Sequence, residues 1–339
     1  MRKIFLILFV FSLLFGLSLI LGIKIGNQPD ELIDFESPLI FQSEPKPIRV
    51  VFVGDIMLSR AVDRLMKKNN NYQFPFLRSA EFFQTADIVF GNLEGPISDQ
   101  GENLGSIYSF RADPRVIEGL KLANFNVLSL ANNHILDWGR RALVQTIELL
   151  KQNNIYSVGA GRNYLEANQP VIIEKSGIKF AFLAFTNLYP ESLKADETNP
   201  GISDFDLTKV KGQIKELKQS GLAEVMVVSL HWGEEYKQAP SPEQIRIAHE
   251  LAEAGADFII GHHPHVVQRE EKYPSISFGT SKISWIFYSL GNFVFDQNFS
   301  EETMNGLVVE LIFKSSQDFE PKLYQAEIND YFQPEIKEF

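Results

Sequence analysis

The feature that most limits how this chain can fold is a repeated pairing. A short apolar run, rich in β-branched residues, stops at a tight cluster of polar ones. Arg49 to Val53 stops at Gly54-Asp55, Ile88 to Phe90 at a cluster containing Asn92 and Glu94, and Asn126 to Ala131 at Asn132-Asn133-His134. Glu224 to Leu230 stops at His231-Trp232-Gly233, Asp257 to Ile260 at Gly261-His262-His263-Pro264-His265, and Trp285 to Leu290 at Gly291-Asn292-Phe293. Runs of this length that are apolar on both alternating faces read as strands buried on both sides. Helical patterns fall between them at Ser59 to Lys68, Pro114 to Ala123, Arg141 to Gln152, Asp206 to Gln219 and Pro242 to Glu253. Asp113 is placed to cap the second of these, with Pro114 at its first position. Further strands are expected at Ile155 to Val158, Val171 to Ile173, Lys179 to Ala184, Leu307 to Phe313 and Lys322 to Ile328, before a charged tail that reads as frayed. Strands alternating with helices predict an α/β layered domain, and the polar clusters all fall at the strand ends where such domains bind ligands.

The clusters bring together Asp55, Glu94, Asn133, His134, His231, His262, His263 and His265, which include five of the six histidines of the chain. All are oxygen or nitrogen donors, a set that suits Mn, Zn or Fe with solvent completing the coordination. One or two divalent ions are expected. Two held by a shared carboxylate would lie roughly 3.5–4 Å apart and activate a water against a phosphate ester. A histidine beside the ions would protonate the leaving oxygen. His263 and His265 stand two apart, so an extended segment would put both on one face. With no cysteine in the chain, thiolate ligands, disulfides and cysteine nucleophiles are excluded. A net charge of -11 without a long basic run argues against nucleic acid as a partner.

Ahead of the first strand, Arg2 and Lys3 precede an uncharged apolar run from Ile4 to Ile23. Its length predicts a transmembrane helix over residues 4–23, and the flanking charges keep the N-terminus cytoplasmic. A cleaved signal peptide is the rival reading, but no A-x-A pattern follows the run. Residues 24–47, with Pro29, Pro38, Pro45 and Pro47, read as a linker to one domain over 48–330. The expectation is a single-pass protein of the cell membrane with its domain extracytoplasmic.

The motifs taken in order resemble the CapA family of capsule and poly-γ-glutamate synthesis proteins. They are Gly54-Asp55-Ile56-Met57-Leu58, Asn92-Leu93-Glu94, Asn132-Asn133-His134-Ile135-Leu136-Asp137-Trp138-Gly139, His231-Trp232-Gly233-Glu234-Glu235-Tyr236, Gly261 to Val267, and Tyr288 to Phe295. The resemblance covers about residues 48–300. It implies a four-layer α/β/β/α sandwich of the metallo-dependent phosphatase type. Asp55, Glu94, Asn133, His231, His263 and His265 would then be metal ligands and His134 the proton donor, with His262, Asp137, Arg60 and Asn292 in support. Met57 stands where the wider fold carries a histidine, so one metal position is short of a ligand. The implied function is capsule or poly-γ-glutamate biosynthesis or export with a metal-dependent hydrolase site, acting on an anionic polymer or phosphoester beside other capsule-synthesis membrane proteins. A general cell-surface phosphoester hydrolase and a non-catalytic, metal-stabilised scaffold are the alternatives. Arg60, Arg64, Arg140 and Arg141 would form a positive lip for an anion on an otherwise acidic protein.

Overall fold

The structure, a computed structural model, describes residues 46–339. Along the chain, β1 (Ile48–Ile56), α1 (Arg60–Lys68), α2 (Ala80–Phe83), β2 (Ile88–Leu93), α3 (Ile117–Leu122), β3 (Val127–Ser129), α4 (Gly139–Gln152) and β4 (Tyr156–Val158) build one half. Next come β5 (Ala160–Gly161), α5 (Tyr164–Asn168), β6 (Val171–Lys175), β7 (Ile178–Thr186), β8 (Gly201–Ile202), α6 (Leu207–Gln219), β9 (Val225–His231), α7 (Pro242–Ala254) and β10 (Phe258–His262). The chain closes with β11 (Val267–Ser277), β12 (Thr280–Leu290), β13 (Asn292–Val294), β14 (Asn305–Phe313), β15 (Phe319–Ile328) and β16 (Pro334–Glu338).

Two sheets dominate. One runs β16-β15-β14-β1-β2-β3-β4 with β13 added to β1, and the other runs β11-β12-β10-β9-β7-β6. Strands β1 to β4 are mutually parallel, as are β7, β9, β10 and β12. Side-chain alternation then builds three cores. Val50 and Phe52 of β1 face the second sheet, where they meet Val225 and Val227 of β9 and Phe258 and Ile260 of β10. Val51 and Val53 of β1 pack outward with Val62, Met66 and Leu143 of the first helical layer. Met226 and Val228 of β9 and Ile259 of β10 pack outward against Val210, Ile214, Ile247 and Leu251 of α6 and α7. The result is an α/β/β/α sandwich whose central strands are apolar on both faces because both faces are covered.

The helix ends follow their local chemistry. Asp206 accepts from the Thr208 and Lys209 amides at the start of α6, and Ser241 with Gln244 forms a capping box on α7. Gly54 lets β1 reach the second half of the fold, since a Cβ there would lie 2.0 Å from the Gly291 carbonyl oxygen.

The structure corrects the reading of the sequence in several places. Among the described residues no helix is long and apolar enough to cross a membrane. The span expected over residues 4–23, and the linker up to residue 45, lie outside the described residues. The described residues thus give the single-pass, membrane-anchored description no spanning helix, and the functional reading does not use it. The tail is not frayed: β16 pairs antiparallel with β15 and extends the sheet to Glu338. The long strand β11, with Arg269, Glu270, Glu271 and Lys272, was not foreseen because an edge strand carries charge where a central one is apolar.

Candidate metal centre

The carboxyl ends of the parallel strands of both sheets meet at one place. Asp55, near the end of β1, is fully buried. Its Oδ1 accepts from Asn92 Nδ2 at 2.8 Å, and its Oδ2 accepts from the His263 amide at 3.1 Å. His262 Nδ1 lies 3.3 Å from Oδ1 and His265 Nδ1 lies 3.4 Å from Oδ2. Burial alone would push this carboxyl up, but the two imidazoles together outweigh it and hold Asp55 well below its usual range.

Glu94 follows β2 and is also buried, and neither carboxylate oxygen has a hydrogen-bond partner. Its Oε1 lies 3.8 Å from His265 Nε2 and 3.9 Å from His134 Nε2. Desolvation drives this carboxyl well above its ordinary value, against the pull of His265. An unpaired buried carboxylate is among the costliest groups a fold can keep.

His231 ends β9. Its Nε2 sits 2.7 Å from Asn133 Oδ1, and its Nδ1 sits 3.3 Å from Asn92 Nδ2. Burial, reinforced by the charge of the neighbouring histidines, lowers its pKa well below 6.5 and keeps the ring neutral, the form that ligates metals. His263 is lowered to about 3, by burial first and then by His265. Burial also acts to lower His265, but Glu94 and Asp55 overcome it and raise this ring to about 9. Asn292, paired with Asp55 in the sheet, accepts from His265 Nδ1 at 3.0 Å. The Asn292 amide is itself fixed by donating to Gln297 Oε1 and the Thr303 carbonyl. That arrangement orients the ring so that Nε2 faces Glu94, where a cation would replace its proton.

One donor atom each from Asp55, Glu94 and His231 lie within 4.8 Å of one another, and so do donors from Glu235, His263 and His265. Bonds of about 2.0–2.2 Å allow donors on one ion to stand at most about 4.4 Å apart, so both groups need only small inward shifts. The two clusters are positioned to chelate a divalent cation, one in each. The orphaned oxygens of Glu94 and the unpartnered buried ring nitrogens of His262 and His263 fit such an ion.

His134 stands beside this centre. Its Nδ1 is 2.8 Å from Asp137 Oδ2, which also accepts from the Phe110 amide at 2.8 Å. Its ring lies against Phe110, with centroids 4.0 Å apart. Asp137 thereby fixes the ring so that Nε2 faces Glu94. His134 opens onto a cleft of about 230 Å³ lined also by Arg60, Tyr108, Glu235, His265 and Phe299. Larger depressions of about 520 and 620 Å³ lie elsewhere, around Tyr164 and Tyr156, and hold none of these residues.

The fold thus gathers Asp55, Glu94, Asn133, His134, His231, His263 and His265, with His262, Asp137 and Asn292 in contact with them. The histidine loop is not extended, however. Strand β10 ends at His262, and His263 (φ 96°) and His265 (φ 57°) both adopt left-handed backbone, so a turn brings them together. Of the expected arginine lip only Arg60 lines the cleft, 3.3 Å from Asp296; Arg140 and Arg141 line a separate depression beside Trp138. Two residues were missed. Asn92 ties Asp55 to His231, and Glu235 completes the second cluster. Both stand inside motifs quoted from the sequence, but neither their type nor their spacing separates a ligand from a loop residue. Met57 is fully buried, its sulfur accepting from the Ser59 amide and hydroxyl at 3.1 and 3.0 Å, so it offers the centre no donor.

The profile of a family described as "Bacterial capsule synthesis protein PGA_cap" matches residues 49–297. The chain is 34% identical over 271 residues to the capsule biosynthesis protein CapA of Bacillus anthracis, covering 78% of this chain and 64% of that protein. It is 33% identical over 277 residues to the PGA biosynthesis protein CapA of Bacillus subtilis, covering 80% and 70%. The matched part thus spans about two thirds of these relatives. Among solved structures, a hypothetical protein from Thermus thermophilus aligns over 82% of this chain and 99% of its own at 16% identity, with a TM-score of 0.49. That likeness is too low to carry an argument.

Proposed function

Since the chain belongs to the bacterial capsule synthesis family PGA_cap, we propose that it serves capsule or poly-γ-glutamate biosynthesis through a metal-dependent hydrolytic centre. The observation that carries this reading is Glu94, a buried carboxylate with two unpartnered oxygens set between a ligand cluster and His134. Asp55, Glu94, Asn133 and His231 would hold one cation, and His263 and His265 would belong to a second position. A bound divalent cation supplies Lewis-acid polarisation and lowers the pKa of water so that it attacks at neutral pH.

The remaining work falls to this chain's own groups. His134, oriented by Asp137, delivers a proton from Nε2 to the leaving atom in the cleft. Arg60 meets an anionic group of the substrate at the cleft wall. The substrate is the anionic polymer itself or a phosphoester, and other capsule-synthesis proteins are its partners. Met57 favours a second reading, a metal-stabilised scaffold without turnover, because it leaves one position a ligand short of the wider fold.

The test is hydrolysis of poly-γ-glutamate and of a phosphodiester by the purified, metal-loaded chain, with His134→Ala alongside. Polymer cleavage that drops about 10²–10⁴-fold in the variant at unchanged metal content is the expected result. Cleavage of the phosphodiester alone would make it a general phosphoester hydrolase. Full metal content with no turnover of either would leave the scaffold.

A further inference from the structure

The two clusters differ in kind. Asp55, Glu94 and His231 are all buried, whereas the second cluster joins buried His263 and His265 to an exposed Glu235. His263 Nδ1 is buried with no hydrogen-bond partner, on a residue only 6% exposed. Glu235 is not there by accident of a flexible loop. The Tyr236 amide donates to the Pro264 carbonyl at 2.8 Å, which clamps the segment after β9 directly onto the histidine turn. Gly233 (φ 87°) makes the bend, and a Cβ there would lie 2.8 Å from the Gln244 side chain. Buried Gln268 then donates to the Lys237 and Ala239 carbonyls at 2.7 and 3.2 Å and holds the far end.

We propose that Glu235 is a metal ligand, which with His263 and His265 holds a second divalent cation in place of the donor that Met57 does not provide. This rests on the metal-centre reading above and extends it. Met57 belongs to the apolar layer behind β1, so the first motif gives the second position no donor, and the carboxylate comes from the opposite sheet. The two ions are consequently unequal. The first is enclosed, and the second is bound at the cleft wall by a side chain that solvent reaches. A chelator removes the second ion first.

The experiment is metal content by plasma mass spectrometry, with manganese or zinc titration of the full chain. Wild type is compared with Glu235→Gln, Glu235→Asp and His231→Ala. Two ions per chain in wild type, one in Glu235→Gln and two again in Glu235→Asp, with the first unaltered, is the expected pattern. The second ion should leave wild type at least tenfold faster under chelator. Two ions in Glu235→Gln with unchanged affinities would overturn the assignment, as would a single ion in wild type that Glu235→Gln retains and His231→Ala loses. No ion in wild type would overturn the metal-centre reading itself. Circular dichroism of each variant separates loss of a ligand from loss of the fold.

Discussion

Glu94→Gln tests most directly what the buried acid is for. The substitution keeps the shape of the side chain and removes its charge. In the metal-free protein neither oxygen of Glu94 makes a hydrogen bond, so there is none to lose. The change should move metal-free stability by less than about 1 kcal/mol, the worth of an ordinary hydrogen bond. Metal-loaded protein behaves differently. At free metal of about 100 times Kd, binding to the folded state alone stabilises it by about 2.7 kcal/mol. Unfolding entropy of about 2.1 cal/mol/K per residue gives about 0.6 kcal/mol/K for the roughly 290 described residues. The metal-induced rise in Tm is then about 4 °C per ion, read by differential scanning calorimetry before and after chelation. Glu94→Gln should unfold like wild type without metal and lose the rise from the enclosed ion. A full rise in the variant would refute the assignment of Glu94 as a ligand. A metal-free variant destabilised by more than about 2 kcal/mol would refute the argument that no hydrogen bond is lost with the carboxylate.

Three further outcomes follow from contacts around the centre. Asn292→Ala removes the acceptor that orients His265, and metal affinity should fall about 10–100-fold by titration calorimetry while Asp55 and His231 remain in place. Arg60→Ala should raise KM for an anionic substrate with kcat nearly unchanged, because its guanidinium lines the cleft without touching Glu94 or His134; unchanged KM would remove its role. Asp113 caps the turn leading into α3 and accepts from Arg115, and the Arg115 guanidinium beside it lowers its pKa to about 2. Asp113→Ala should cost about 1 kcal/mol at neutral pH in urea denaturation. A depressed carboxyl contributes fully above its unfolded value near 3.8, so the gap between wild type and variant should close as pH falls through about 2.

Most of the fold could be read from the chain because its central strands are buried on both faces and some of its helices start at a capping residue. β1, β2, β9 and β10 announce themselves as apolar runs, and Asp206 and Asp113 mark helix starts. What escaped was structure whose stability comes from pairing rather than composition. β11 and β16 are charged edge strands that owe their conformation to β12 and β15. The same divide runs through the candidate centre. Acids and histidines at strand ends could be gathered by topology alone. The turn at His263 and His265, and the return of Glu235 over it, depend on left-handed backbone and on the amide of Tyr236. No periodicity encodes either.

The composition of the centre also bears on how the sandwich is held together. Asp55, Glu94 and Asn133 are presented by the first sheet, and His231, His263 and His265 by the second. Apolar packing between Phe52, Phe90, Phe182 and Phe258 joins the sheets through their middle, but at this edge the contact surface is polar and mostly buried. Two carboxylates and three imidazoles brought together without a cation leave Glu94 unsatisfied and set His265 against His263. A divalent ion held by Asp55, Glu94 and His231 would make that edge a cross-link between sheets, a link that Asn92 already provides by hydrogen-bonding Asp55 and His231. Metal should therefore slow hydrogen exchange at the ends of β1 and β9 together, and far less at the distant β15–β16 hairpin. Protection confined to one sheet would mean that the ion is bound by that sheet alone.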